Sequence, residues 1–506
     1  MEEPTYILAC VSAALVSAVW LLKTWRHNRQ LNPIPAVGAS GIWGYYTGGL
    51  RYMLHAPEMV QEGCTLYPGK AFRVPRLFRW DFIVSGKTLI DEVASAPESI
   101  LSALEGNKDS LKVDITIGPE ILNHAYHIDV LRTTLTRNLA KCFPDIRDEI
   151  SCAFDDVLAL DGAEWKSVPA LSTIMSVVAR STNRLFVGLP ICRNDDYLKL
   201  MVRYTIDVVI MAQVINLMPA PLQPILGPFI SPRSRGIRKG TTHLGPLIEH
   251  RIAQEKAFGR DWPGKPNDFI SWLLDSAQGS ERTVPDIVVR ILTTNMAAIH
   301  TTSSVFTHVL FDLTSHPEYM PALREEAERV VQELGWTKTA LGRMYRLDSF
   351  LRESQRMHDN GPVTMTRKVM DPAGFTFSDG TVVPAGSFIN ATSRVEHFSP
   401  ANYEDPDDFD GFRFSKLREE REQNEGQAVF NKHMVTTSVE HLSFGHRTHV
   451  CPGRFLAAMQ LKAMLAHIVI NYDVRSATDG VRPPDDVFGI VAVPNRKAKI
   501  GFRKRL

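Results

Sequence analysis

Residues 443–458 read SFGHRTHVCPGRFLAA and centre on one cysteine, Cys451. Pro452 and Gly453 follow it, and an apolar run typical of a helix begins at Arg454. Proline suits the first turn of a helix, because the N–H group that it lacks would have no partner there. Cys451 is therefore predicted at or just before a helix N-terminus, where free N–H groups and the helix dipole favour a thiolate. Such a thiolate can be a nucleophile, a redox centre or a metal ligand.

The loop before the cysteine narrows this choice. It resembles the signature of the cytochrome P450 haem-thiolate monooxygenases, F-x-x-G-x-[R/H]-x-C-x-G, with matches at Phe444, His449, Cys451 and Gly453. The family's glycine four residues before the cysteine, which allows a tight turn, is Arg447 here. The resemblance implies haem b as the cofactor, Cys451 as the ligand of its iron, and Phe444 and His449 as further haem-binding residues.

Composition sets broad limits on the chain. Its 506 residues are 44% hydrophobic, which allows one large domain or two to three ordinary ones. The net charge of +1 indicates no nucleic-acid partner. Its six cysteines form no C-x-x-C pair, which is typical of reduced thiols in a protein that faces the cytosol.

The N-terminal segment predicts a membrane anchor. Tyr6–Leu22 carries no charge and would span roughly 26 Å as a helix, close to the thickness of a thin bilayer. Acidic residues precede it and basic residues follow it, which favours a retained anchor over a cleaved signal peptide and keeps the following domain in the cytosol. We predict an anchor at residues 1–25, a proline hinge at 26–40 around Pro33 and Pro35, and a catalytic domain at 41–506. The resemblance implies a single-pass protein of the endoplasmic reticulum membrane.

The remaining chain predicts a mainly α-helical fold with small β-sheets in one large domain, as the family resemblance also implies. Ala71–Ser85 alternates enough to predict a hairpin. His127–Phe143 predicts an amphipathic helix, and taken alone its arginines are ordinary surface charges. The family resemblance implies instead that Arg137, or in second place Arg132, binds a haem propionate. It also implies that Arg367 matches another propionate-binding arginine of the family.

Pro285–Ser315 predicts a long, largely buried helix. Four hydroxyl residues, 301–304, interrupt its apolar middle, and such hydroxyls can bond the carbonyl four residues back, which is Ala297 for Thr301. The segment AAIHTT at 297–302 resembles the family's oxygen-activation motif. Thr301 matches the threonine that guides protons, while Ala298 and His300 replace the usual glycine and acid. A histidine can still relay protons near neutral pH.

Glu353 and Arg356 lie three apart on one predicted helix face and can pair there. Taken alone they are an ordinary surface ion pair. The resemblance identifies them as the E-x-x-R motif and Arg413 as their third partner, with a structural role on the haem side of the fold.

Three segments are predicted to contact substrate by the same resemblance. Val208–Ile230 is apolar and rich in proline, which excludes a second membrane-spanning helix, and it matches a loop that dips into the bilayer. Buried core is the other reading of this segment. Pro362–Met365 and Ile490–Val493 would line the pocket.

Taken together, the resemblance implies a monooxygenase that hydroxylates a lipophilic small molecule with O2. The segments IPAVG at 34–38 and LTRNL at 135–139 resemble basidiomycete members of secondary metabolism, which suggests a terpenoid substrate. No G-x-G-x-x-G fingerprint or flavin-sized region is present, so NADPH and flavins would act through a separate NADPH–cytochrome P450 reductase, with cytochrome b5 as a second partner. Arg447, Arg454 and Lys462 are candidates for the docking face.

Two further classes of protein stay open at this point. One is a haem-thiolate isomerase or an inactive relative. The other is a zinc-binding module without enzymatic activity, and its candidate ligands are His441, His446, His449 and Cys451.

Overall fold

The computed structural model describes residues 31, 33–38, 41–77, 79–358, 361–417, 433–477 and 480–505. Its α-helices are α1 Gly41–Leu54, α2 Ala56–Leu66, α3 Lys87–Ser95, α4 Ala103–Leu111, α5 Val113–Thr116, α6 Glu120–Asn123, α7 Tyr126–Val130, α8 Thr136–Leu158, α9 Ala170–Phe186, α10 Asp195–Asn216, α11 Gln223–Ile230, α12 Arg233–Phe258, α13 Phe269–Ser276, α14 Val284–Ser315, α15 Met320–Leu334, α16 Lys338–Arg343, α17 Tyr345–Met357, α18 Arg394–His397 and α19 Arg454–Asn471. A π-helical turn at Leu131–Leu135 joins α7 to α8.

The strands form small sheets at the edges of this helical body. They are β1 Ala71–Pro75, β2 Trp80–Val84, β3 Leu101–Ser102, β4 Lys166–Pro169, β5 Thr364–Val369, β6 Phe375–Thr376, β7 Val382–Val383, β8 Phe388–Ala391, β9 Tyr472–Ser476, β10 Asp486–Phe488, β11 Val491–Val493 and β12 Lys499–Lys504. A five-stranded sheet has the order β1-β2-β8-β5-β3, and a three-stranded sheet has the order β4-β12-β9. The pairs β6-β7 and β10-β11 complete the set.

Helix α14 runs through the centre of the molecule. It packs against α9, α10 and α12, and it also contacts α17 and α19, which come later in the chain. Apolar side chains such as Ile291, Ile299, Phe306 and Leu310 are buried around it. A helix that is apolar on most sides must be enclosed by others, so the sequence pattern and the position of α14 agree.

The predicted architecture is confirmed in its main features, a mainly helical single domain with small sheets. The hairpin predicted at Ala71–Ser85 is the antiparallel pair β1-β2, with Ala71 opposite Val84. The predicted anchor at Tyr6–Leu22 lies outside the described residues. Within the described ranges we find no helix that is both long and apolar enough to cross a membrane.

The described part of the proline segment packs on the first strand. The N–H group of Val37 donates to Arg73 O at 3.0 Å, and the N–H group of Arg73 donates to Pro35 O at 2.8 Å. Ile34 and Val37 are buried. This segment therefore acts as a short extension of the sheet edge at β1, while the division of the chain at residues 25 and 40 stays a prediction.

Candidate active site

The cysteine loop is a tight turn that ends on helix α19. The N–H group of Cys451 donates to Phe444 O at 2.8 Å, which closes the loop. Gly445 has φ +74° and Arg447 has φ +53°. The turn thus needs a left-handed residue at the position where the signature has glycine, and Arg447 adopts that conformation despite its Cβ. Its guanidinium binds both carboxylate oxygens of Asp91 on α3, at 2.6 and 3.0 Å, and holds the turn in place.

The surroundings of Cys451 exert opposing influences on its thiol. Burial is the largest, and it raises the pKa of Cys451. The N–H groups of Gly453 and Arg454, together with the charge of Arg454, lower the pKa but do not offset burial. The N–H groups at the start of the helix therefore favour the thiolate of Cys451, as predicted, but the effect of burial is larger. A bound metal cation deprotonates a coordinating thiol outright, so this is a site where a thiolate needs a metal partner.

Arg367 on β5 is a buried cation with free donors. Its Nη1 donates to Thr366 O at 3.0 Å, whereas Nε and Nη2 meet no acceptor in the part of the chain that the structure describes. Burial lowers the pKa of Arg367 to about 10. The pairing of β5 with β8 is irregular between Thr364 and Arg367, and Met365 between them has φ +54°. Strained backbone of this kind clusters at functional sites.

A basic group surrounds the cysteine loop. Arg132 lies close enough to lower the pKa of both His449 and Arg454, and Arg367 also lowers the pKa of His449. The Nε2 atom of His449 lies 3.0 Å from Glu98 Oε2 but forms no hydrogen bond with any described residue. Arg132 sits exposed on the π-helical turn between α7 and α8.

The other predicted propionate partner, Arg137, is exposed on α8. The contacts of the described residues do not connect it to this basic group. The geometry therefore favours Arg132 over Arg137, in the reverse of the order expected from the sequence.

The middle of α14 has one exposed face, which is a second candidate part of the active site. Ala297 and Thr301 are exposed, although Ile299, Thr302 and Ser303 around them are buried. Residues four apart share one helix face, so this face borders open space while the others are packed. Thr301 Oγ1 donates to Ala297 O at 2.7 Å, which is the predicted back-bond.

His300 points away from this face. Its Nε2 lies 3.0 Å from Val202 O on α10, and only a protonated nitrogen can hydrogen-bond to a carbonyl, so Nε2 carries the hydrogen. Burial lowers the pKa of His300 and keeps the ring neutral. This geometry gives His300 a positioning role between α10 and α14, and its proton relay stays a prediction.

Glu353, Arg356 and Arg413 meet as the motif predicts. Arg356 donates to both carboxylate oxygens of Glu353 at 2.8 Å, and Arg413 Nε donates to Glu353 Oε1 at 3.0 Å. All three are buried. Arg356 also donates to His397 O at 2.6 Å and to Pro406 O at 2.7 Å, which ties α17 to the chain leading to the cysteine loop.

The predicted pocket segments come together. A Cβ atom on Gly361 would lie 2.0 Å from Ile490 O, so the turn before β11 touches the start of the segment that leads into β5. The apolar segment Val208–Ile230 folds as the end of α10, a short 3-10 turn and α11. Its exposed apolar side chains are Ile210, Val214, Leu217, Leu222, Ile225, Leu226 and Phe229, the last at 85% exposure. A fully buried core segment is therefore the wrong interpretation.

Two sequence expectations around the loop fail. Lys462 is buried and lies 2.5 Å from Asp348, so it cannot belong to a docking face. The proposed zinc ligands are not gathered either. His441 is buried at 3.3 Å from Arg352 O, and His446 faces Asp91. Among the described residues, the group with three metal-ligating side chains is a different one, at His308, His358 and Asp485.

Sequence reasoning missed Asp91 and Glu98, the acidic neighbours of Arg447 and His449. Asp91 precedes Arg447 by 356 residues, and no local pattern marks it.

Comparisons with known proteins agree with this geometry. A family model described as Cytochrome P450 matches residues 69–502. The chain is 38% identical over 500 residues to "Cytochrome P450 monooxygenase 103" of Postia placenta, covering 98% of both chains. It is 33% identical over 481 residues to "Cytochrome P450 monooxygenase CYP512U6" of Ganoderma lucidum, covering 94% of this chain and 92% of that one. A solved structure, the retinoic acid bound cyanobacterial CYP120A1, shares the fold with a TM-score of 0.66 at 16% identity, covering 93% of this chain and 99% of that one.

Proposed function

The chain belongs to the cytochrome P450 family and is a P450 monooxygenase, and from this premise we propose that it hydroxylates a lipophilic small molecule with haem held by Cys451. The observation that carries the proposal is the buried guanidinium of Arg367, whose Nε and Nη2 have no partner among the described residues. Buried polar groups are almost always satisfied, so these donors await an acidic ligand.

The residues around Cys451 fit a haem group. The Cys451 thiol offers a soft ligand for iron. Haem carries two negatively charged propionates, and the basic group Arg132, Arg367, His449 and Arg454 supplies positive charge and free donors for them. Phe444 is partly buried against the core of the molecule and closes the loop on the cysteine side.

When bound, haem supplies the activation of dioxygen, and a thiolate ligand favours O–O cleavage. The reaction puts one oxygen atom into a C–H bond of the substrate and releases the other as water, with two electrons and two protons consumed. Thr301 Oγ1 gives its hydrogen to Ala297 O at 2.7 Å, so its lone pairs face the open side of α14 and can hold a proton-bearing water there. His300 keeps α14 in place against α10 through Val202 O.

The substrate class rests on apolar surface. Exposed apolar side chains on α10 and α11, with Phe229 the most exposed, favour contact with a membrane from which an apolar substrate can enter. We propose that Tyr6–Leu22 anchors the protein in the endoplasmic reticulum membrane. We further propose that the substrate is a terpenoid or a related secondary metabolite. The choice of a terpenoid rests on the resemblance of IPAVG at 34–38 and LTRNL at 135–139 to basidiomycete members of secondary metabolism.

The electrons would come from NADPH through a separate reductase, with cytochrome b5 as a second donor. Without Lys462, the candidate docking residues are Arg447, which is exposed, and Arg454, which is half-buried beside Cys451 O at 3.1 Å. Product formed without NADPH and reductase would instead favour the isomerase alternative.

The ligand assignment is tested with the reduced protein under carbon monoxide. We expect a strongly red-shifted Soret band in the wild type and its loss in Cys451→Ser, because a serine oxygen is a poor substitute for thiolate. Cys152→Ser is the matched control, since Cys152 is also a half-buried free cysteine but lies on α8. An unchanged band in Cys451→Ser would contradict the assignment.

A further inference from the structure

Beyond Thr301, helix α14 carries a buried polar stripe. Ser304, His308 and Asp312 follow at steps of four residues, and all three are buried. Residues three and four apart lie on one helix face, so the stripe continues the face that Thr301 presents to open space. Polar side chains in such a row are costly unless something satisfies them.

The first member of this polar stripe is an unpartnered hydroxyl. Ser304 Oγ is buried, and no described residue forms a hydrogen bond with it. Its neighbours Ser303 and Thr307 instead bond to the carbonyl four residues back, at 2.6 and 2.7 Å. The usual solution for a helix hydroxyl is thus adopted on both sides of Ser304 but not by Ser304 itself.

His308 also has an unpartnered donor. Its Nδ1 lies 2.7 Å from Arg482 Nη2, and a guanidinium only donates, so Nδ1 accepts. Nε2 of the neutral ring therefore carries the hydrogen, and within the described ranges no group accepts it. Burial, with the charges of His358 and Arg482, lowers the pKa of His308 well below its ordinary value and keeps the ring neutral.

Asp312 ends the row with a free acceptor. Its Oδ1 lies 2.8 Å from His358 Nε2, at the end of α17, while Oδ2 has no partner among the residues that the structure describes. On the facing side of α17, the buried hydroxyl of Ser354, one turn before His358, is unpartnered as well.

The row reaches the surface at the C-terminal segment. Arg482 Nε lies 3.5 Å from Asp312 Oδ1, and Arg482 Nη2 donates to Asp485 at 3.0 Å. The side chains of Arg482 and Asp485 are 24% and 22% exposed. Solvent therefore has access to one end of the row, and Thr301 lies at the other.

A metal ion is not the best occupant of this group. His308, His358 and Asp485 have ligand atoms within 4.8 Å of one another. The Nη2 atom of Arg482 already lies between two of them, at 2.7 Å from His308 and 3.0 Å from Asp485. Its fixed positive charge would repel a second cation.

Water fits the free atoms. Four residues of helix rise about 6 Å, which is the length of two hydrogen bonds that meet at one water molecule. Buried water commonly satisfies polar groups of this kind. We propose that water bound to Ser304, His308 and Asp312 forms a path along α14 that carries protons from the surface at Arg482–Asp485 to Thr301.

In this path each turnover draws two protons from solvent, matching the two electrons and the one O2 molecule consumed. At the outer end, Asp312 Oδ2 accepts a proton from a water that has received one from solvent, which leaves that water neutral, and it then passes the proton to the next water. His308 is a positioning residue, because its Nε2–H orients a water while Arg482 occupies its other nitrogen. The proposal rests on the proposed role of Thr301.

A high-resolution crystal structure tests the water directly. We expect ordered water within hydrogen-bond distance of Ser304 Oγ, His308 Nε2 and Asp312 Oδ2. A dry gap at any of these three atoms, or an anomalous metal signal in place of Arg482, would overturn the path whatever Thr301 does.

Variants test the function of the path. In Ser304→Ala and Asp312→Asn we expect the fraction of NADPH electrons that appears in product to fall about a hundredfold, at the low end of typical proton-transfer effects, with a changed solvent isotope effect. His467→Gln is the matched control, because His467 on α19 is another buried histidine with an unpartnered Nε2. Unchanged coupling and isotope effect in both variants would refute the path. Unchanged coupling in Thr301→Ala, with the water present in the crystal, would instead refute only the role of Thr301.

Discussion

Replacing Arg367 by methionine should stabilise the haem-free protein and at the same time weaken its binding of haem. In the protein alone, the guanidinium is buried and two of its nitrogens have no partner. Burial lowers its pKa from 12.5 to about 10, which corresponds to about 3 kcal/mol against the charged form. Methionine removes this cost and fills similar space. We therefore expect the haem-free Arg367→Met protein to be more stable than wild type by about 1–3 kcal/mol.

The same substitution should weaken the binding of haem. If a propionate accepts from the free nitrogens of Arg367, the substitution removes charge-assisted hydrogen bonds worth about 1.5–3 kcal/mol. The dissociation constant of haem should then rise by roughly ten- to a hundredfold. A purely structural arginine would lose stability in both states.

Urea unfolding of the haem-free protein measures the first effect, and titration of haem by absorbance measures the second. The matched control is Arg73→Met. Arg73 on β1 is also buried with two unpartnered nitrogens, and burial lowers its pKa. It lies three strands from β5, roughly 14 Å away, so its replacement should leave haem affinity unchanged. Lower stability of haem-free Arg367→Met, or an unchanged haem affinity, would refute the reasoning.

Two further predictions concern the scaffold of the site. Glu353→Gln should lower the free energy of unfolding, measured in urea, by about 3–5 kcal/mol, because it leaves the buried charges of Arg356 and Arg413 without their carboxylate. The control Glu333→Gln, in the exposed pair with Arg329, should lower it by less than about 1 kcal/mol. Equal losses in the two variants would contradict a buried charge core. At Arg447, the glycine variant should melt at a higher temperature than the alanine variant, since glycine relieves the φ of +53° while alanine keeps it. The opposite order, which is usual at ordinary positions, would show that the turn does not need a left-handed residue.

Local patterns in the sequence predicted the parts of the site whose members lie close together in the chain. The cysteine loop, the back-bond of Thr301 and the pairing of Glu353 with Arg356 all follow from spacings of one to a few residues. The left-handed conformation of Arg447 follows from the family glycine at that position. These features depend on backbone geometry that a short segment determines by itself.

Features that depend on distant elements escaped prediction. The π-helical turn that carries Arg132 has no sequence signal, so the sequence could not show that Arg132 lies near His449 and Arg454, and the ranking of Arg137 above Arg132 stays a prediction. Lys462 looked like a surface cation beside the cysteine, yet it is buried against Asp348 on α17. Helical periodicity alone cannot show which face of α19 is covered, because that helix is apolar on most sides.

The polar stripe on α14 shows where the two kinds of information meet. The step of four residues from Ser304 to His308 and Asp312 is visible in the sequence, and alone it indicates only hydroxyls and charges tolerated in a helix. The proposed function depends on which atoms of the row lack a partner. His358 and Arg482 decide this, and they lie 46 residues from Asp312 and 174 residues from His308, respectively. Arg482 fixes the tautomer of His308, and the tautomer decides that Nε2 is a donor. The proposed function of this stripe therefore depends on the contact of Arg482, in the C-terminal segment, with His308 on α14.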